Sequence, residues 1–390
     1  MNNFTYDIPT RVYFGKEQLE KLGAELQRFG SKVLLVYGGG SIKKTGLYDR
    51  IVKIVNDAGL ELHECGGIEP NPRHSSVNRG AQICKDKDID VVLAVGGGSV
   101  IDACKFICAG RYYDGNIWDF FADKTTPIVK ALPLVTVLTI AATGSEMDPG
   151  GVISNMETHE KIGRADPKLL PAVSFLDPTL TYTVSKYQTA CGSADILSHI
   201  SETYFARKDN GMYLLDKFAE GIMKTVIKYA PVALEDAENY EARANLMWAS
   251  SWAINNFIRI DAPCVWSCHP LEHELSAFYD ITHGLGLAIV TPRWMRHVLN
   301  EETLPMFVRF GIEVWEIDYN LPDMEIALEG IKSLEDFLYR DLGLTDNLTA
   351  LGITDEHFEE MAARITKKGP LKGFAPLTRE DCIAIYKACL

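Results

Sequence analysis

Asp195 and His199 stand four residues apart in a stretch, Cys191 to Ala206, whose apolar spacing predicts a helix. At that interval both side chains leave the same helix face. His269 and His273 repeat the interval, and His283 follows ten residues later, directly before Gly284. One carboxylate and three imidazoles would suit Fe²⁺ or Zn²⁺ and leave a coordination position open for a substrate oxygen. Five candidates exceed the four such a site needs, so one histidine is expected beside it without ligating. A lone histidine is more often a surface or capped residue, but five such groups in a chain with nine histidines form a pattern. His63, His74, His159 and His297 lack this spacing and are expected to be structural or exposed. No His-Glu-x-x-His occurs, which argues against a zincin protease.

A second chemistry is written in glycine. Gly38-Gly39-Gly40-Ser41 and Gly96-Gly97-Gly98-Ser99 each follow an apolar run, and the second opens a predicted helix carrying Asp102 and Lys105. Residues without a Cβ let the backbone approach a pyrophosphate, and the free N–H groups at a helix start hold its charge. Neither turn is the G-x-G-x-x-G fingerprint, and either alone reads equally as a tight structural turn. Two together point to a dinucleotide. The segment Thr139 to Glu146, rich in small and hydroxyl residues, reads as a nicotinamide or ribose lining or as a helix N-cap segment.

The elements that would position these groups fall into two textures. Val33 to Tyr37, Val91 to Val95 and Leu134 to Thr139 are short apolar runs, as in buried parallel strands. Between them, Leu47 to Ala58, Ser76 to Lys87 and Ile101 to Ala109 carry helical spacing. Phe4 to Phe14, alternating around Pro9, predicts two short edge strands. After Asp177-Pro178, helical patterns dominate: Thr189 to Ala206, Tyr213 to Tyr229 and Tyr240 to Ile258. The expected fold is a doubly wound, mainly parallel, Rossmann-like α/β domain over residues 1–184, then an all-α metal-binding domain over 185–390, with a cleft at their junction.

Composition narrows the partners. At 390 residues the chain exceeds the usual single-core ceiling of roughly 250–300 residues. A net charge of -14 disfavours nucleic acid and anionic membranes. Nine cysteines without a Cys-x-x-Cys pair indicate neither a disulfide framework nor a zinc ribbon, and no apolar run reaches the roughly 20 residues that span a bilayer. A cytoplasmic protein without a membrane partner is expected.

Taken together, the two Gly-Gly-Gly-Ser turns with Asp102, Thr143-Gly144-Ser145-Glu146, Asp195-x3-His199, His269-x3-His273 and His283-Gly284 resemble the iron-containing (group III) alcohol dehydrogenase family, which has a dehydroquinate synthase-like architecture. Tyr240 to Trp248 and Trp266-Ser267-Cys268-His269-Pro270 resemble its butanol dehydrogenase branch. The resemblance implies that Asp195, His199, His269 and His283 bind the metal, with Fe²⁺ the family's choice and Zn²⁺ possible. It implies that His273 lies near the nicotinamide, available to pass a proton. It assigns cofactor contacts to Gly38, Gly39, Gly40, Ser41, Asn71, Gly97, Gly98, Ser99, Val100, Asp102, Thr139, Thr143, Ser145 and Lys161, and a homodimeric assembly. The implied activity is reversible hydride transfer between a nicotinamide and a small primary alcohol or aldehyde.

In NAD-specific members of the family an aspartate just beyond the first strand holds the adenosine ribose. Gly38 and Gly39 occupy that stretch here, with Ser41, Lys43 and Lys44 close by, so NADP(H) is expected in preference to NAD(H); the alternative is that the glycines only shape the turn and both cofactors serve. Phe120, Phe257 and Trp266 read as an apolar pocket for short aliphatic chains or, equally well, as core residues. The chain departs from the family at Asp148-Pro149-Gly150-Gly151, where bulkier residues are expected, and at Asp261-Ala262-Pro263-Cys264, which leaves substrate size open. A dehydroquinate synthase-like lyase is the alternative enzyme, but it needs a Lys/Arg cluster that is absent near His269 to His283. A non-catalytic nucleotide-binding regulator would leave the metal constellation without a use.

Overall fold

The computed structural model describes residues 3–207, 212–260 and 266–390. They divide into two compact units. The first comprises Asp7–Val184 and Glu238–Ser251; the second comprises Ser185–Ala237 and Trp252–Leu390 with the N-terminal residues up to Tyr6.

The first unit is built on a six-stranded, wholly parallel sheet in the order β1-β8-β5-β4-β2-β3. Its strands are β1 (Arg11–Phe14), β2 (Lys32–Tyr37), β3 (Glu61–Cys65), β4 (Val91–Gly96), β5 (Leu134–Leu138) and β8 (Val173–Leu176). β6 (Gly150–Asn155) and β7 (Glu160–Ala165) form a separate antiparallel hairpin. Successive side chains on a strand point to opposite faces. Val33 and Leu35 therefore pack with Ile51 and Val55 of the helix Leu47–Asp57, while Leu34 and Val36 pack with Ile101 and Phe106 of the helix Gly98–Gly110. Burial on both faces explains why these strands read as continuous apolar runs.

The chain moves from β2 outward to β3 and then returns to β4 on the other flank of β2. The carboxyl ends of β2 and β4 thus mark the topological switch point, where open α/β sheets bind ligands. Tyr37 pairs with Val95, so the two glycine turns leave the sheet side by side.

The expectation for Phe4 to Phe14 is corrected. Only Arg11–Phe14 forms a strand, and it pairs parallel with β8 at the sheet edge. Pro9 removes a backbone donor from the segment before it. β3, with the sequence ELHEC, and the β6–β7 hairpin have no apolar run to announce them.

The second unit is helical. Its helix Lys186–Ala206 starts at Ser185, whose side chain accepts from the Gln188 N–H, and is buried continuously from Thr189 to Phe205. A helix enclosed on all sides lies inside its unit. Around it are Tyr213–Glu235, Cys268–Tyr279, His283–Val298, Leu304–Trp315 and further helices to the C-terminus. Among the described residues, no helix is long and apolar enough to cross a membrane.

Candidate functional site

The helix Lys186–Ala206 presents Asp195 and His199 one turn apart, both buried. His269 lies in the first turn of Cys268–Tyr279, and His283 is the first residue of the next helix. Between those two helices the chain reverses at Asp280, in the left-handed region with φ 51°. Gly284 is required there: a Cβ on it would fall 2.0 Å from the Cys191 carbonyl oxygen.

These elements bring four donors together. The Nε2 atoms of His199, His269 and His283 stand 3.6, 4.0 and 3.7 Å from Asp195 Oδ1. The His199 and His269 rings are stacked, with centroids 4.7 Å apart. Donors each about 2.1 Å from one tetrahedral ion would be about 3.4 Å apart. His269 Nε2 is buried with no hydrogen-bond partner among the described residues. Such a nitrogen, beside a buried carboxylate, is where a cation belongs. The residues present fit a divalent metal, and one carboxylate with three imidazoles suits Fe²⁺ and Zn²⁺ alike. His273 stands to one side, its ring 5.6 Å from that of His283 and 6.1 Å from that of His269.

Electrostatics keep the His199 ring neutral. Burial, reinforced by the neighbouring His269, pushes it well below the usual imidazole range, leaving a neutral ring. Burial would do the same to His269, but Glu202 beside it shifts the balance upward. Glu202 Oε1 meets His269 Nδ1, and Glu272 Oε2 meets His283 Nδ1. Sequence reasoning missed both carboxylates. The available signal was spacing: Glu202 is three residues after His199, and Glu272 three after His269, one helical turn in each case.

Of the three aromatic residues proposed for a pocket, only Trp266 touches the cluster. Its ring centroid is 5.7 Å from His199 and 4.5 Å from His269, and the Arg259 guanidinium lies 4.6 Å over it. Phe257 instead joins Tyr6, Phe218 and Trp252, and Phe120 is buried beside Tyr113 in the sheet unit. The stretch Asp261-Ala262-Pro263-Cys264 lies outside the described residues. Histidines 63, 74 and 297 are engaged elsewhere, with Glu61, the Trp118 ring and Asp381, and His159 sits in the β6–β7 turn.

On the sheet unit, the turn after β4 is closed from above. A Cβ on Gly97 would sit 2.3 Å from Ile140, and one on Gly98 2.4 Å from Thr143. Ser99, Val100 and Asp102 continue into the helix, whose first N–H groups point beyond the strand end. Thr139 N donates to Gly96 O, so the third loop starts against this turn. Asp102 accepts from the Ser145 hydroxyl and from Val152 N, and Lys105 donates to Ser145 Oγ. The only hydroxyl proton of Ser145 is therefore committed, and toward a cofactor it can offer only a lone pair. Glu146, buried and pushed upward by that burial, accepts from Ser251.

The turn after β2 is open beyond Gly38, where a Cβ would come within 3.3 Å of the Ile68 carbonyl. A Cβ on Gly39 or Gly40 would meet nothing within 4 Å, although Gly40 needs its φ of 99°. Lys43 lies over the rings of Tyr37 and Tyr48. Asn71 adopts φ 50° in the loop before the helix His74–Asp86. Buried Lys161 on β7 pairs with Ser154, whose N–H bonds the Pro72 carbonyl, so Asn71 and Lys161 come from linked segments. The departure at Asp148 to Gly151 follows from packing: a Cβ on Gly151 would press on Phe106 at 3.0 Å and Asp102 at 3.4 Å.

A parallel sheet with glycine turns at its switch point, and a helical unit holding a carboxylate–imidazole cluster, describe a metal- and nicotinamide-linked oxidoreductase. Residues 9–178 match "Iron-containing alcohol dehydrogenase" and residues 189–390 match "Fe-containing alcohol dehydrogenase family, C-terminal", so the chain belongs to the iron-containing alcohol dehydrogenases. It is 49% identical over 389 residues to NADH-dependent butanol dehydrogenase A of Clostridium acetobutylicum, covering 99% of both chains. It is 35% identical to the NADPH-dependent aldehyde reductase YqhD of Escherichia coli, over 95% of this chain and 94% of that one. The crystal structure of NADH-dependent butanol dehydrogenase A from Thermotoga maritima superposes with a TM-score of 0.94 at 38% identity, covering 100% of this chain and 99% of that one.

Proposed function

We propose that this chain catalyses reversible hydride transfer between NADP(H) and a small primary alcohol and its aldehyde, such as butanol and butanal, using Fe²⁺, with Zn²⁺ able to replace it. The observation that carries the reading is the meeting of three imidazole Nε2 atoms at 3.6–4.0 Å from one oxygen of Asp195. Asp195, His199, His269 and His283 would hold the ion, which when bound supplies a Lewis acid for the substrate oxygen. The N–H groups of Gly97, Gly98 and Ser99 would bind the pyrophosphate at a helix start, with Val100, whose own N–H bonds the Gly97 carbonyl, beside them. Asn71, Thr139, Thr143 and Lys161 would seat the rest of the cofactor, with Asp102, Lys105 and Ser145 holding the loop in shape. His273, beside the cluster, would move a proton.

Preference for the 2′-phosphate rests on the turn after β2. No carboxylate stands at Gly38 or Gly39, Gly39 is unobstructed, and Ser41 opens a short helix carrying Lys43 and Lys44. Nearby, Glu64 accepts from the hydroxyls of Tyr37 and Tyr48, over whose rings Lys43 lies. The relatives' names divide, with NADH in the butanol dehydrogenases and NADPH in the aldehyde reductase. The same reading places a homodimer in the cytoplasm; the eight described cysteines, all buried and free of disulfides, fit a reducing compartment.

The test compares kcat/KM for NADPH and NADH with butanal. Wild type should favour NADPH by roughly tenfold or more, and Gly39→Asp should move the ratio toward NADH by a similar factor, through charge repulsion of the phosphate. A wild type favouring NADH, or an unchanged ratio in the variant, would show that this turn does not read the 2′ position.

A further inference from the structure

Each of two ligand histidines has a carboxylate behind it. In His269 and His283 the nitrogen facing Asp195 is Nε2, while Nδ1 on the other side of the ring meets Glu202 or Glu272. Among the described residues His199 has no such backing, its Nδ1 being buried without a hydrogen-bond partner.

The two carboxylates do different work. Glu202 Oε2 also accepts the backbone N–H groups of Ser267 and Cys268 at 2.6 and 2.7 Å, and Glu202 Oε1 accepts the Ser198 hydroxyl. It therefore ties down the start of the helix Cys268–Tyr279 as well as the His269 ring, and its removal would disturb the fold. Glu272 Oε1 accepts from Ser276 one turn along its own helix, while Oε2 takes the His283 contact. Its side chain fills space left by a glycine on the neighbouring helix. A Cβ on Gly286 would lie 2.7 Å from Glu272 Cγ and 3.1 Å from its Oε1.

We infer that Glu272 is the positioning residue for His283, and that Gly286 is kept small to seat it. A carboxylate on Nδ1 fixes the tautomer with the lone pair on Nε2, holds the ring plane and raises the basicity of the ligand. Glu272, His273 and His283 also offer ligand atoms within 4.8 Å of one another, so a direct metal contact by Glu272 is the competing arrangement. Its contact with Nδ1, opposite the Nε2 that faces Asp195, favours the positioning role. This inference rests on the metal reading above.

The test uses full-length protein stripped of metal and titrated with Zn²⁺ against a chromophoric chelator, independently of turnover. Glu272→Ala should weaken Zn²⁺ affinity about 10- to 100-fold, the usual effect of losing such a partner. Glu272→Gln should recover most of that loss, because its amide oxygen accepts the same hydrogen. Gly286→Ala, which leaves the carboxylate in the chain but displaces it, should also weaken binding. Unfolding midpoints measured with chelator present should stay close to wild type for the Glu272 variants. A wild type that binds no Zn²⁺ would sink the metal reading itself. Wild-type affinity in both Glu272→Ala and Gly286→Ala would overturn the positioning role alone. Loss of binding in Glu272→Gln as complete as in Glu272→Ala would also overturn it, by making Glu272 a ligand.

Discussion

The helical unit and the sheet unit build their candidate sites from different parts of the chain. In the helical unit the chemistry sits in side chains: Asp195 Oδ1 and three Nε2 atoms, two of the rings backed by carboxylates. In the sheet unit it sits in the backbone, where Gly97 and Gly98 lie under Ile140 and Thr143 and the helix behind them opens its N–H groups. The first kind of site depends on which residue is present. The second depends on which residue is absent, because any Cβ at 97 or 98 takes room the adjoining loop already fills. One site should therefore fail by losing its ligand, and the other by losing its shape.

The largest effect expected from this contrast is in the helical unit. His269→Ala should lose the metal and nearly all turnover while retaining its fold, as read by metal analysis, steady-state rates and circular dichroism. In the same assays His273→Ala should keep the metal and slow turnover by about 10- to 10³-fold, the range for an acid–base group. Loss of metal in the second variant would exchange the roles of His273 and a neighbour. A smaller effect separates the two turns of the sheet unit. Gly97→Ala must displace Ile140 and should cost about 1–3 kcal/mol, as overpacking does, and raise KM for the dinucleotide with metal content unchanged. Gly39→Ala, which meets nothing, should stay within about 0.5 kcal/mol of wild type. Equal unfolding free energies for the two would erase the distinction between a closed and an open turn.

Legibility followed the same division. Asp195, His199, His269, His273 and His283 stand out by residue type and interval, though only the family resemblance sets His273 apart from the others, and the strands β2, β4 and β5 stand out by burial on both faces, which makes them uniformly apolar. β3 hides because an edge strand with an exposed face carries Glu61, His63 and Glu64. Phe4 to Thr10 alternates like a strand but pairs with none of the sheet, since a pleated pattern cannot specify a partner. The helix Tyr240–Ile254 reads as one more helix after the sheet ends, yet Glu238–Ser251 clusters with the sheet unit, where Trp248 packs on Phe14 and Ser251 bonds Glu146. Long-range return of that sort leaves no local mark. Glu202 and Glu272 were overlooked because a helical glutamate ordinarily faces water; only their spacing from His199 and His269 distinguishes them.

On this reading the Asp195 cluster would hold the metal on which hydride transfer depends. It is tested most directly by purifying the protein without oxygen, measuring bound metal, and following NADPH oxidation with butanal before chelation, after chelation, and after returning Fe²⁺ or Zn²⁺. The expected result is about one ion per chain, a rate that falls toward zero as the ion is removed, and recovery on its return. A stripped protein that reduces butanal at the original rate would contradict it.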